Sequence, residues 1–243
     1  MEAAYISFFL YYLLFEPIFG YWFFKRFVKQ LAADPGVRLR YYKNTLLFSW
    51  LPVGIIAGII LLGRLSAADV GISWIKLNPN AFGKWGTYVI LIAFCLLLVL
   101  YIYQVIMAMA SEAYRNRLAS IKLPPEVGML LPHTDMEKKY WILISTSAGL
   151  IEELVYRGFL IFLLSNLFPG LHIYPVILIS SMLFGVAHTY QGPVGVLKTG
   201  LAGLLFALVY VCTGSLLPGI LLHFIMDYSA QNIGTDKGVQ AAN

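Results

Sequence analysis

Three short polar clusters interrupt the apolar C-terminal half of this 243-residue chain: Glu152-Glu153-Leu154-Val155-Tyr156-Arg157, then Phe184-Gly185-Val186-Ala187-His188, then His223-Phe224-Ile225-Met226-Asp227. An ionisable side chain inside an apolar helix costs about 2.5–3.5 kcal/mol on insertion scales, so it marks a functional site by default. Glu153 and Arg157 are one helical turn apart and can pair on a shared face. Glu152 is rotated about 100° from Glu153, closer to the face of Tyr156, and needs a different partner. Its carboxyl is left for proton chemistry or is held neutral by burial. His223 and Asp227 again share a face one turn apart.

A carboxylate with an imidazole can activate water, and a second imidazole can donate to a developing oxyanion. Glu152, His188, His223 and Asp227 could also hold a divalent metal such as zinc, with Glu152, His188 and His223 as its core ligands. Each cluster has a plainer account as well. Glu153 and Arg157 can brace the helices as an ion pair. His188 can be a satisfied structural histidine, and His223 with Asp227 a private pair. Three clusters on neighbouring helices favour one shared cavity, because converging partners lower the desolvation cost of every member. Other chemistries lack their signatures: there is no Gly-rich phosphate loop, no His-Glu-x-x-His and no serine–lysine or serine–histidine pair at a motif spacing. Cys95 and Cys212 stand far apart in apolar runs and frame neither a disulfide scaffold nor a zinc site.

The elements that must position these residues are apolar. Sixty per cent of the chain is hydrophobic and 12% charged, against about 25% charged for a soluble domain. The expectation is an all-α, polytopic transmembrane helix bundle of about seven spans. They are read at residues 3–24, 45–62, 87–109, 140–164, 175–189, 194–212 and 219–232. The first contains Glu16 and Pro17. Gly54 and Gly58 form a small-xxx-small pair of the kind that lets helices pack closely, and Gly185 with Ala187 suggests the same beside His188. The net charge of +5 resides mainly in two basic stretches: Lys25, Arg26, Lys29, Arg38, Arg40 and Lys43, then Arg115, Arg117, Lys122, Lys138 and Lys139. Both read as loops facing anionic headgroups rather than nucleic acid, which orients the chain N-out and C-in. An interfacial helix is expected within 111–139. The organisation is then N-terminal spans and interfacial segment at 1–139, a polar-site core at 140–232 and a disordered tail at 233–243.

In their order, each on its own apolar span, the three clusters resemble the motifs of the CPBP intramembrane protease family. That family includes the type II CAAX prenyl endopeptidases and bacterial abortive-infection and bacteriocin-immunity relatives. The resemblance covers roughly 140–232. It implies an intramembrane endopeptidase, a multi-pass protein of the bacterial plasma membrane acting on a membrane-embedded or lipidated peptide. It further implies that Glu152 and His188 activate water, that His223 and residue 227 stabilise the oxyanion, and that Glu153 and Arg157 support the site or touch substrate, with Phe184 packed beside them. The prenyl endopeptidases usually have asparagine where this chain has Asp227. An ionised aspartate would repel an oxyanion, so Asp227 must be protonated, orient His223 or bind metal. The alternatives are a non-catalytic scaffold or bacteriocin-immunity protein, and a proton- or ion-coupled transporter, since buried carboxylates and histidines also line ion paths.

Overall fold

The computed structural model describes residues 7, 8, 10, 11, 14, 16–34 and 36–234. The structured elements among them are helices, with no strand. In chain order they are α1 (Glu16–Leu31), α2 (Val37–Ser49), α3 (Leu51–Leu61), α4 (Lys84–Ala110), α5 (Glu112–Ala119), α6 (Pro125–Leu130) and α7 (Asp135–Glu152). A π-helical segment (Glu153–Leu160) follows, then α8 (Ile161–Leu167), α9 (Ile173–Ala187), α10 (Gly192–Thr213) and α11 (Leu217–Ala230). Beyond Gly234 the expected tail lies outside the described residues, as do residues 3–6, 9, 12, 13 and 15 of the first expected span.

Three helical stretches are long and apolar enough to cross a bilayer: Val37–Leu61, Lys84–Ala110 and Thr189–Thr213. On α4, Val89, Ile92, Leu96, Val99 and Ile106 are exposed, as expected of side chains facing lipid rather than a protein core. The other expected spans are helical in the described residues but fall short of that measure. α9 and α11 have 15 and 14 residues, whereas a hydrocarbon core takes about 20.

The basic stretches are helical where loops were expected. Lys25, Arg26 and Lys29 lie on α1, and Arg38, Arg40 and Lys43 on α2. Two of these charges are neutralised locally. Arg40 pairs with Asp34, and Arg38 Nη1 lies 3.4 Å from Glu137 Oε1. The Arg40 guanidinium and the Gly36 N–H hold the Asp34 carboxyl below its ordinary range. Glu137 also closes the N-terminus of α7. Its Oε2 accepts the backbone N–H groups of His133 and Thr134, while Thr134 Oγ1 accepts the N–H of Glu137, a capping box. Arg38 therefore ties the start of α2 to the start of the helix that carries Glu152. Within 111–139, where an interfacial helix was expected, α5 is helical, and its N-cap Ser111 accepts the N–H of Tyr114.

Close helix approach occurs at some of the expected glycines and not at others. A Cβ on Gly185 would lie 2.7 Å from Val196 O and 3.2 Å from Gly200 Cα, so the tight pairing of α9 with α10 needs hydrogen there. Gly149 lets α7 approach the backbone of Ile220 and Phe224 on α11. Gly54 and Gly58 have no neighbouring atom within 4 Å, so the small-residue pair at these positions packs no helix among the described residues. Gly185→Ala should therefore destabilise the protein by about 1–3 kcal/mol through overpacking, while Gly58→Ala should cost nothing. Thermal unfolding in detergent separates the two, and equal midpoints would contradict the packing described.

Candidate active site

The first polar cluster sits where helix α7 changes its winding. All eight residues of the π segment Glu153–Leu160 are buried. A π turn loosens the i→i−4 ladder and recurs at functional sites, and its backbone groups then need other partners. One of them is on α9: Ser180 Oγ donates to Tyr156 O at 2.7 Å. Gly158 lets the carbonyl of Val70 seat against the segment, since a Cβ there would lie 2.4 Å from that oxygen.

Glu153 and Arg157 pair as their spacing suggested, with Arg157 Nη1 donating to Glu153 Oε1 at 3.0 Å and both side chains 1% exposed. The same oxygen meets His223 Nδ1 at 3.0 Å. Glu153 thus joins the π segment to α11, and Gly219 leaves room for it: a Cβ on Gly219 would lie 2.8 Å from Glu153 Oε2. Arg157 also lies against aromatic faces, 4.1 Å from the centroid of Phe184 and 5.3 Å from that of Phe206, where ring quadrupoles favour a cation. Neither Glu153 nor Arg157 lines the cavity described next.

Glu152, His188, His223 and Asp227 do line one common cavity, of about 280 Å³. Glu152 Oε2 is 3.9 Å from His188 Nε2 and 3.7 Å from His223 Nε2. This oxygen is buried and has no direct hydrogen bond among the described residues. Both distances are too long for a direct hydrogen bond, which leaves this oxygen free to accept from a water in the cavity. Asp227 Oδ2 stands 3.6 Å from His223 Nε2. The walls come from α2 (Tyr41, Tyr42), α7 (Trp141, Ser147), α9 (Phe184) and α10 (Phe206), so the N-terminal half closes one side of the site.

The backbone fixes one imidazole and a carboxylate the other. His188 Nδ1 faces Phe184 O at 2.8 Å. A carbonyl only accepts, so Nδ1 carries the proton, and in the neutral ring the Nε2 lone pair faces Glu152. His223 Nδ1 donates to Glu153, and its ring stacks on Phe206 with centroids 5.4 Å apart. In its imidazolium form it would also present Nε2–H to the cavity.

Phe184 packs as the motif suggested, with its ring 4.7 Å from that of His188 and 5.1 Å from that of Tyr156. The sequence reading missed Phe206, Ser180 and Gly219, whose roles arise from contacts between helices far apart in sequence. It noted Glu16 but gave it no partner, and Glu16 Oε2 accepts the Tyr156 hydroxyl at 2.6 Å. The rule that flags buried carboxylates in spans applied to Glu16 equally. Glu152, His188 and His223 were also the candidate metal ligands. Among the described residues no three His, Cys, Asp or Glu side chains are placed to hold a metal ion.

The buried pair makes a quantitative expectation. Arg157→Met leaves Glu153 charged and underpaired, and should cost about 3–5 kcal/mol, whereas the double change Glu153→Leu, Arg157→Met should recover part of that loss. Unfolding in mixed micelles measures both. A neutral single change would show that the pair does not hold the bundle.

Residues 137–229 match the family model described as type II CAAX prenyl endopeptidase Rce1-like. No curated protein and no solved structure matches the chain significantly. The matched stretch contains all three polar clusters, the π segment and the helices that frame the cavity. Residues 137–229 thus form an Rce1-like domain of the CAAX-type protease family, and with its long apolar helices the chain is an integral membrane protein.

Proposed function

We propose that the chain is an intramembrane endopeptidase that hydrolyses a membrane-embedded or lipidated peptide with a water activated by Glu152 and His188. The observation that carries this reading is the approach of two imidazole Nε2 atoms to one buried carboxylate oxygen inside a common cavity. A water between Glu152 and the His188 lone pair has two acceptors for its protons and can turn its own lone pair toward a scissile carbonyl. Attack produces a tetrahedral oxyanion. His223, whose Nε2 lies 3.7 Å from Glu152 Oε2, can in its imidazolium form donate Nε2–H to that oxygen. Glu153 holds His223 in orientation from behind, as a carboxylate holds a catalytic histidine. Collapse expels the amine, which takes a proton from Glu152 or His188.

Asp227 fits a supporting part. Its carboxylate lies 3.6 Å from the His223 imidazole, and ionised it would balance an imidazolium charge rather than bind the oxyanion. Aromatic walls from Tyr41, Tyr42, Trp141 and Phe206 favour an apolar chain flanking the scissile bond. The complete topology in this reading is seven crossings, N-out and C-in, with α7, α9 and α11 traversing the membrane around the site.

Two results test the reading. In nanodiscs, with hydrophobic and prenylated peptides as substrates, Glu152→Gln and His188→Ala should each lower turnover by roughly 10²–10⁴-fold, with thermal unfolding unchanged. Full turnover in either folded variant would refute the mechanism. Asp227→Asn should stay within about threefold of the parent, because an amide can itself donate to the oxyanion, whereas Asp227→Leu should fall about tenfold. Equal loss in both would assign the aspartate a proton-transfer role instead.

A further inference from the structure

Glu16 opens α1, more than a hundred residues before the Rce1-like domain begins at residue 137. It is nevertheless joined to the first motif of that domain. Its Oε2 accepts the Tyr156 hydroxyl at 2.6 Å, a short bond between side chains 140 positions apart. Tyr156 is the fifth residue of Glu152-Glu153-Leu154-Val155-Tyr156-Arg157 and is 2% exposed. Its ring packs edge-on against Phe184, its carbonyl accepts Ser180 Oγ, and the Arg157 guanidinium lies 6.0 Å from its ring centroid. Of these contacts, the hydroxyl bond is the one made outside the matched domain. Neither Glu16 nor Tyr156 lines the cavity, so neither can touch a peptide there.

A π segment has poorer internal hydrogen bonding than an α-helix and keeps its winding only with outside support. Glu152 is the residue just before this segment and Glu153 its first. A change in its winding would rotate both carboxylates, and catalytic groups tolerate displacements of only about 0.5 Å.

We propose that Glu16 is a positioning residue: by clamping the Tyr156 hydroxyl it locks the winding of Glu153–Leu160 and so sets Glu152 opposite His188 and His223. The function ascribed to Glu152 rests on the endopeptidase reading above; the clamp itself does not. It gives the N-terminal helix a part in a site whose motifs all lie elsewhere.

The test uses the full chain in nanodiscs with four variants: Glu16→Gln, Glu16→Leu, Tyr156→Phe and the double Glu16→Leu, Tyr156→Phe. Two quantities are read, peptide turnover and backbone hydrogen exchange across residues 153–160. Glu16→Leu and Tyr156→Phe should each lower kcat about tenfold with KM unchanged, and the double variant should lose no more than either, since one bond is removed in all three. Exchange across 153–160 should quicken in the same three variants. Glu16→Gln keeps an acceptor oxygen and should retain kcat and exchange within about twofold. Multiplicative losses in the double variant, or parental kcat and exchange in Tyr156→Phe, would overturn the proposal. Should Glu16→Leu fail to fold, Tyr156→Phe carries the test alone, as it deletes a single oxygen. If the parent itself cleaves no peptide, the endopeptidase reading fails, and exchange then decides the clamp: quickened in Tyr156→Phe and normal in Glu16→Gln supports it, unchanged in both overturns it.

Discussion

One carboxylate oxygen, Glu153 Oε1, holds two helical elements together at the centre of the molecule. It accepts from Arg157 within the π segment and from His223 on α11, at 3.0 Å in each case. A guanidinium taken out of water demands a counter-charge, and breaking such a pair is more costly than never building it. Arg157 therefore fixes Glu153, and Glu153 fixes His223. The flat faces of Phe184 and Phe206 cover the remaining guanidinium edges. Glu153 and Arg157, both fully buried, are thus the frame, and Glu152, His188, His223 and Asp227 are the groups presented to the cavity.

The packing around this frame is permissive only where glycine allows it. Gly219 admits the Glu153 carboxylate, and Gly203 admits Phe184 and Arg157: a Cβ at 203 would lie 2.8 Å from the Phe184 ring and 2.9 Å from Arg157 Nη2. Gly149 and Gly185 bring α11 and α10 against the helices that carry Glu152 and His188. In a membrane, helices gain little from apolar burial against each other, because lipid is just as apolar, so close backbone approach and interhelical polar bonds carry the association. The site and the fold consequently share the same residues. Trp141, which lines the cavity, adds to both, its indole N–H on α7 donating to Asp227 O on α11 at 2.9 Å.

The sequence made most of the site legible, for a specific reason. Buried charges in an apolar chain are conspicuous, and helical spacing says which of them share a face, so the pairing of Glu153 with Arg157 followed from their four-residue interval. Convergence of Glu152, His188 and His223 followed from the cost of leaving each alone. The second partner of Glu153 was not legible, since Glu153 and His223 are 70 residues apart and the private pairing of His223 with Asp227 looked equally good. The π winding was hidden too, because it arises from tertiary contacts with Ser180 and Val70 rather than from any local signal. Helix positions in the C-terminal half came through well, as apolar runs bounded by Pro and Gly turns. The basic stretches did not. Arg38 and Arg40 read as loop charges, yet Glu137 and Asp34 neutralise them at a helix start. The glycine pair at 54 and 58 shows why a spacing alone is weak: it packs no helix among the described residues, whereas the close approach of α9 and α10 is made by Gly185 on one helix and Gly200 on the other.

The central claim is that Glu152, His188 and His223 face one another in a single polar cavity, with His223 held from behind by Glu153. An experimental structure in lipid nanodiscs, bound to a peptide phosphinate that mimics the tetrahedral intermediate, tests it most directly. The account requires one phosphinyl oxygen within about 3 Å of Glu152 and His188 and the other within hydrogen-bond reach of His223 Nε2, with His223 Nδ1 on Glu153. A phosphinate seated elsewhere, or the three side chains directed apart or toward acyl chains, would contradict it.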